Sequence, residues 1–143
     1  MEYKYIIGID TGTKTGIAVW STVNKNFLLI ETTFIHRAMN IVKHYSNRAE
    51  TFVLIEDARK RKFYGNVGNE ILQGVGSVKR DAAIWEDYLK DIGADFKCVH
   101  PVKGATKWAD NTFRQITKWE KKTDQHGRDA AMMVFQINKT QNN

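Results

Sequence analysis

The hydrophobic positions fall into short solid runs at the start of the chain and into helical spacing later. Residues 3–9 are apolar on both faces that alternate positions would define, as in a central strand, and the run stops at Asp10 before a Thr11-Gly12 turn. Residues 16–22 and 25–34 read as two further strands joined by a tight turn at Asn24, which makes the opening an antiparallel meander. A short helix is expected over 36–46. A second fully apolar strand, 51–55, again runs into acid, at Glu56 and Asp57. From about 66 to 92 the apolar positions Ile71, Val75, Val78, Ala82, Trp85 and Leu89 alternate four and three apart, the spacing of one helix face. Gly74 and Gly76 interrupt that helix at a cost of roughly 1 kcal/mol each relative to alanine, which suggests close approach of another backbone or a ligand. A short strand at 96–99, the lone Pro101, and helices at 107–117 and 124–138 complete the pattern. Three strands followed by helices alternating with two more strands predict an α/β architecture, a five-stranded mixed sheet flanked by helices. One domain over 1–138 with a flexible tail at 139–143 is the expected organisation.

Charge narrows the partners. Lys and Arg number 22 against 16 Asp and Glu, a formal net charge of +6, so the surface attracts polyanions, nucleic acid first and anionic membranes second. The single Cys98 excludes an internal disulfide framework and a cysteine-rich zinc site, and reads as a small buried hydrophobe in a reducing compartment. Neither a secretion signal nor an apolar run of membrane-spanning length is present, so a soluble, cytoplasmic protein is expected, with no membrane partner.

Chemistry concentrates at the ends of the apolar runs. Two-metal phosphodiester hydrolysis requires carboxylates from rigid, adjacent elements to converge on ions about 4 Å apart. Asp10 and Glu56 meet that need if their strands are neighbours. His126 and Asp129, three apart, share one face of the last helix, continued inward by Met133 and Ile137. By alternation Asp57 points away from Glu56 and ranks second. Each acid also has an ordinary explanation: a turn acid at Asp10, a solvated strand end at Glu56-Asp57, and a helix N-terminus capped by Asp124 that would leave His126 and Asp129 as surface residues.

The three segments together resemble a known family. Ile7-Gly8-Ile9-Asp10-Thr11-Gly12 with Gly16-Ile17-Ala18, then Leu54-Ile55-Glu56, then His126-Gly127-Arg128-Asp129-Ala130-Ala131 look like the RuvC-type Holliday-junction resolvases, over nearly the whole chain. The resemblance implies an RNase H-like fold and a crossover junction endodeoxyribonuclease that acts as a homodimer. It implies two Mg2+ ions, for which Mn2+ can substitute, held by Asp10, Glu56, His126 and Asp129. Lys107, ahead of the last helices, is the expected contact to the scissile phosphate, with Lys103 beside it.

The segment Arg59-Lys60-Arg61-Lys62-Phe63-Tyr64 couples cations for phosphates with aromatics for bases, and Lys79, Arg80 and Arg128 add cations for a branched DNA partner. Part of the 71–89 stripe could form a two-fold contact between copies. Rivals are an actin-type or sugar-kinase-type phosphotransferase, which shares the Asp10 hairpin but needs a second domain, an RNA-processing relative of the YqgF type, and a non-catalytic junction-binding module. Because an imidazole binds a metal only when neutral, activity should fall in mild acid.

Overall fold

The computed structural model describes the backbone of residues 2–57, 69–100 and 108–141. Strands β1 (Tyr5–Asp10), β2 (Lys14–Ser21) and β3 (Asn26–Phe34) form the meander, followed by helix α1 (Ile35–Arg48), strand β4 (Thr51–Glu56), helix α2 (Asn69–Asp91), strand β5 (Asp95–Val99) and helices α3 (Asp110–Thr117) and α4 (Gln125–Gln141). The five strands lie in the order β3-β2-β1-β4-β5. β1–β2 and β2–β3 are antiparallel, while β1–β4 and β4–β5 are parallel. This is the mixed sheet expected from the hydrophobic pattern.

Alternation divides the sheet into two faces with separate cores. Ile7 and Ile9 of β1, Ile17 and Val19 of β2 and Val53 and Ile55 of β4 pack with Ala38 and Val42 of α1 and with Trp85 and Leu89 of α2. On the opposite face Ile6, Ala18, Ile30 and Leu54 pack with Phe113 of α3 and with Ala130, Ala131 and Val134 of α4. The central strands are apolar on both sides because helices cover both sides. Burying one of the large side chains contributes roughly 1.5–3 kcal/mol.

The tight turn between β2 and β3 falls at residues 22–25, as expected. Lys25 takes the left-handed conformation (φ 57°), held by its N–H on the Ser21 carbonyl at 2.8 Å, while the Asn24 N–H donates to Ser21 Oγ. Several local readings change. α3 starts at Asp110 rather than at Lys107, putting an acid in its first turn. α4 continues to Gln141, past the helix end expected at 138. Among the described residues no heavy atom lies within 4 Å of a Cβ added at Gly76, so no other backbone among them approaches it closely; Gly74 lies among residues whose side chains are not described. Ala82, Trp85 and Leu89, the second half of the α2 stripe, are core, whereas the side chains of Ile71, Val75 and Val78 lie outside the described residues. Among the described residues no helix is long and apolar enough to cross a membrane.

Candidate functional site

Asp10 ends β1 on the α4 face, two residues beyond Gly8 and four beyond Ile6 of that face's core. β4 runs parallel beside β1 with Ile9 opposite Ile55, so Glu56 is the next residue on the neighbouring strand and projects to the same side. Asp57 goes to the other face, as alternation requires, where it is 2% exposed. Its ligand atom lies within 4.8 Å of those of Glu86 on α2 and Cys98 on β5. Cys98 is therefore not a simple apolar filler: it is half-buried, with Sγ 4.0 Å from Glu86 Oε2.

Two glycines bring α4 down onto the sheet. A Cβ at Gly8 would sit 2.2 Å from the Ala130 carbonyl oxygen, and one at Gly16 would sit 2.0 Å from that of His126. The helix backbone thus rests directly on β1 and β2, closer than any side chain permits. That contact, together with Ala18 beneath the helix, carries the first turns of α4 over the tip of β1.

The N-terminus of α4 is fixed by a set of polar contacts. Asp124 Oδ1 accepts the Gly127 N–H at 3.1 Å, an N-cap, and the Thr32 hydroxyl of β3 donates to the same carboxylate. The Arg128 guanidinium donates to the Thr123 carbonyl at 2.8 Å and its hydroxyl at 2.9 Å, and lies 4.0 Å from Asp110 of α3. Asp110 accepts both the N–H and the hydroxyl of Thr123. Arg128, expected as a DNA contact, is 13% exposed in its side chain. Its donors tie the α3–α4 connection together.

His126 Nδ1 lies 3.1 Å from Asp10 Oδ2. Gln125 Nε2 donates to Asp129 Oδ1 at 2.6 Å, and Arg128 donates to Gln125 Oε1 at 3.5 Å. Thr11 Oγ1 donates to the Glu56 carbonyl at 3.3 Å, joining the two strand ends. Burial pushes the Asp10 carboxyl up to about 7, and the charge and hydrogen bond of Glu56 and the charge of Asp129 add to the rise, against the bond to His126, which lowers it. Three acids from β1, β4 and α4 therefore share one crowded corner with excess negative charge.

Of the four expected residues Asp10 is the hub, within hydrogen-bond reach of His126 and Glu56 and under the charge of Asp129. Among the described residues the one trio of potential ligand atoms all within 4.8 Å of one another is Asp57, Glu86 and Cys98 on the opposite face, not a subset of Asp10, Glu56, His126 and Asp129. Lys79 and Arg80 are exposed on α2, Arg80 reaching Asp81 at 3.9 Å. Arg59, Lys60, Arg61, Lys62, Phe63, Tyr64, Lys103 and Lys107 lie outside the described residues. Gln125 escaped the sequence reading, although a Gln four residues ahead of an Asp is a recognisable helix pair.

No protein-family model matches the sequence, and none of the curated proteins matches it. A solved structure does: T. thermophilus RuvC in complex with Holliday junction substrate superposes with a TM-score of 0.59 over 90% of this chain and 88% of that chain, at 17% identity. The chain has a RuvC-like fold. At that identity the likeness to RuvC is one of architecture, a mixed five-stranded sheet with four helices.

Proposed function

We propose that the chain is a divalent-metal-dependent endonuclease that resolves four-way junctions and related branched DNA. The observation that carries this reading is the convergence of Asp10, Glu56 and Asp129 at one end of the sheet, where burial first and the neighbouring acids second push the Asp10 carboxyl up to about 7. Such a set is costly to keep ionised without a cation. Hard oxygen donors with one imidazole suit Mg2+ or Mn2+, so the residues fit the group. Asp10, Glu56, Asp129 and His126 would hold two ions, which when bound supply an activated water and stabilise the leaving oxygen of a phosphodiester.

The chain's own residues prepare this site. The Gly8 and Gly16 contacts set the height of α4, and the Asp124 cap sets its start. Gln125 fixes one oxygen of Asp129. His126 holds Asp10 through Nδ1 and can accept or release a proton there. The net charge of +6 supports a polyanionic substrate. Junction preference rests on the resemblance of the three motifs and on the architecture shared with RuvC, whose solved complex contains a Holliday junction. We further propose that the chain acts as a homodimer, since symmetric cutting across a junction requires two sites.

Cleavage of a panel of labelled DNAs (linear duplex, single strand, three-way flap and four-way junction) in Mg2+ tests this. The four-way junction should be nicked at least about tenfold faster than linear duplex, equivalent to about 1.4 kcal/mol of transition-state discrimination. Equal rates on all four would remove junction selectivity. Tight junction binding without cutting would favour the non-catalytic module.

A further inference from the structure

The sheet edge that carries Asp10 continues across two more strands. Asp10 stands opposite Gly16, Gly16 opposite Thr32, and Lys14 opposite Phe34. Along β2 the residues Ala18 and Trp20 belong to the α4-side core, and along β3 Ile30 belongs to it and Thr32 bonds to Asp124. Alternation therefore puts Lys14 and Phe34 on the same face as Asp10 and Glu56. One edge carries, in spatial order, acid, acid, cation and aromatic, from β4 to β3.

Phe34 is anomalous where it stands. It is 63% exposed, and it occupies the N-cap of α1 without making a side-chain cap hydrogen bond. Ser, Thr, Asp or Asn at that position would stabilise the helix by about 1 kcal/mol. Neither the core nor the helix explains a phenylalanine there. Its ring lies parallel to that of the exposed His36, at 6.0 Å between centroids and 5° between planes, so the pair presents a flat aromatic surface. Lys14, also exposed, supplies a cation on the adjoining strand.

We propose that Phe34, backed by His36 and accompanied by Lys14, is a base-stacking platform for an unpaired nucleotide of the DNA strand entering the Asp10 site. This rests on the nuclease reading and deepens it. Neighbouring strands are about 4.8 Å apart, so Phe34, two strands over and two residues further along, lies on the order of 12 Å from Asp10. That is about three nucleotides at the 3.4 Å rise of a stacked strand. Lys14 faces the intervening phosphates, and the aromatic surface takes the base. A base inside a duplex is already stacked on both faces and cannot use the platform, whereas a base at a branch point or frayed end can. The platform selects DNA with an unpaired base beside the cut.

The test is binding of the full-length chain, in an Asp10→Asn background with Mg2+, to a fluorescein-labelled four-way junction and to the same junction carrying single abasic sites stepped away from the branch. Phe34→Ala should weaken binding to the intact junction about 5- to 100-fold, and Phe34→Trp should restore it. An abasic site at one position should weaken the Phe34-containing protein by a similar factor and cost nothing further in Phe34→Ala. Phe34→Leu, which keeps the apolar bulk and the fold, should lose affinity as well. Unchanged affinity in Phe34→Ala, or losses that multiply fully with every abasic site, would overturn the platform while leaving the nuclease reading intact. A Phe34-containing protein that binds no branched DNA would overturn both. A change of molecular mass in Phe34→Ala at unchanged DNA affinity would assign Phe34 to a contact between copies and overturn the platform.

Discussion

Asp10→Asn abolishes junction cleavage, lowering the rate by at least about 10³-fold, or about 4 kcal/mol of transition-state stabilisation, while junction affinity in Mg2+ stays within a few-fold of the parent. The amide keeps the shape of the carboxylate but removes the charge a metal needs. The same substitution has an opposite and independent effect on the metal-free protein. The folded Asp10 carboxyl titrates at about 7, whereas an Asp in the unfolded chain titrates near 3.9. Between those values the folded chain holds a proton that the unfolded chain has released. The stability contributed by Asp10 is thus fully present below about pH 4 and is lost as pH rises through about 7, a difference on the order of a few kcal/mol. Metal-free parent protein should melt progressively lower from pH 5 to pH 8, the Asp10→Asn variant should show a flatter profile, and Mg2+ should flatten that of the parent. Parallel melting profiles for parent and variant in EDTA would show that Asp10 is not under this strain. Undiminished cutting would remove it from the site.

The hydrophobic runs were enough to read the five strands, because a strand buried on both faces leaves a solid apolar stretch and its acids can only fall at the tip; that β4 lies beside β1 was legible only as a condition, which the pairing of the two strands meets. Glu56 and Asp57 show how far that logic reaches. Alternation alone sends them to opposite faces, and the structure separates them, Glu56 to the α4 side and Asp57 to Glu86 and Cys98. Element ends were harder to read. The start of α3 and the extension of α4 to Gln141 depend on caps and neighbours that a hydrophobic period does not encode. Arg128 shows a contact set that no hydrophobic pattern encodes: its guanidinium donates to Thr123 and lies 4.0 Å from Asp110. Phe34 was hidden because a strand's last aromatic reads as core until its exposure is known.

Gly16→Ala is expected to damage the site severely, though less than loss of a ligand, without touching one. An added methyl would lie 2.0 Å from the His126 carbonyl oxygen, 2.4 Å from its carbon and 3.1 Å from the Gly127 nitrogen, all backbone atoms that no side-chain rotation can move aside. Restoring a contact of at least 3.0 Å requires the first turn of α4 to lift by about 1 Å. Overpacking of this kind costs roughly 1–3 kcal/mol, a fall of about 2–12 °C in melting temperature for a chain of this size. The larger effect is on geometry. His126 and Asp129 ride on the lifted turn, while Asp10 and Glu56 stay with the sheet, so the four donors separate along the direction in which they must converge. A displacement near 1 Å in a catalytic group costs about 10²-fold in rate. Gly8→Ala, 2.2 Å from the Ala130 oxygen one turn further along, should behave likewise. Gly76→Ala is the counter-case: among the described residues nothing lies within 4 Å of its added Cβ, so in a helix interior alanine should leave cleavage unchanged and raise stability by roughly 0.5–1 kcal/mol. Melting curves and single-turnover cleavage of the three variants decide the matter. If Gly16→Ala melts and cuts like the parent, α4 is not seated by that glycine, and the convergence of its His126 and Asp129 on Asp10 must have another cause.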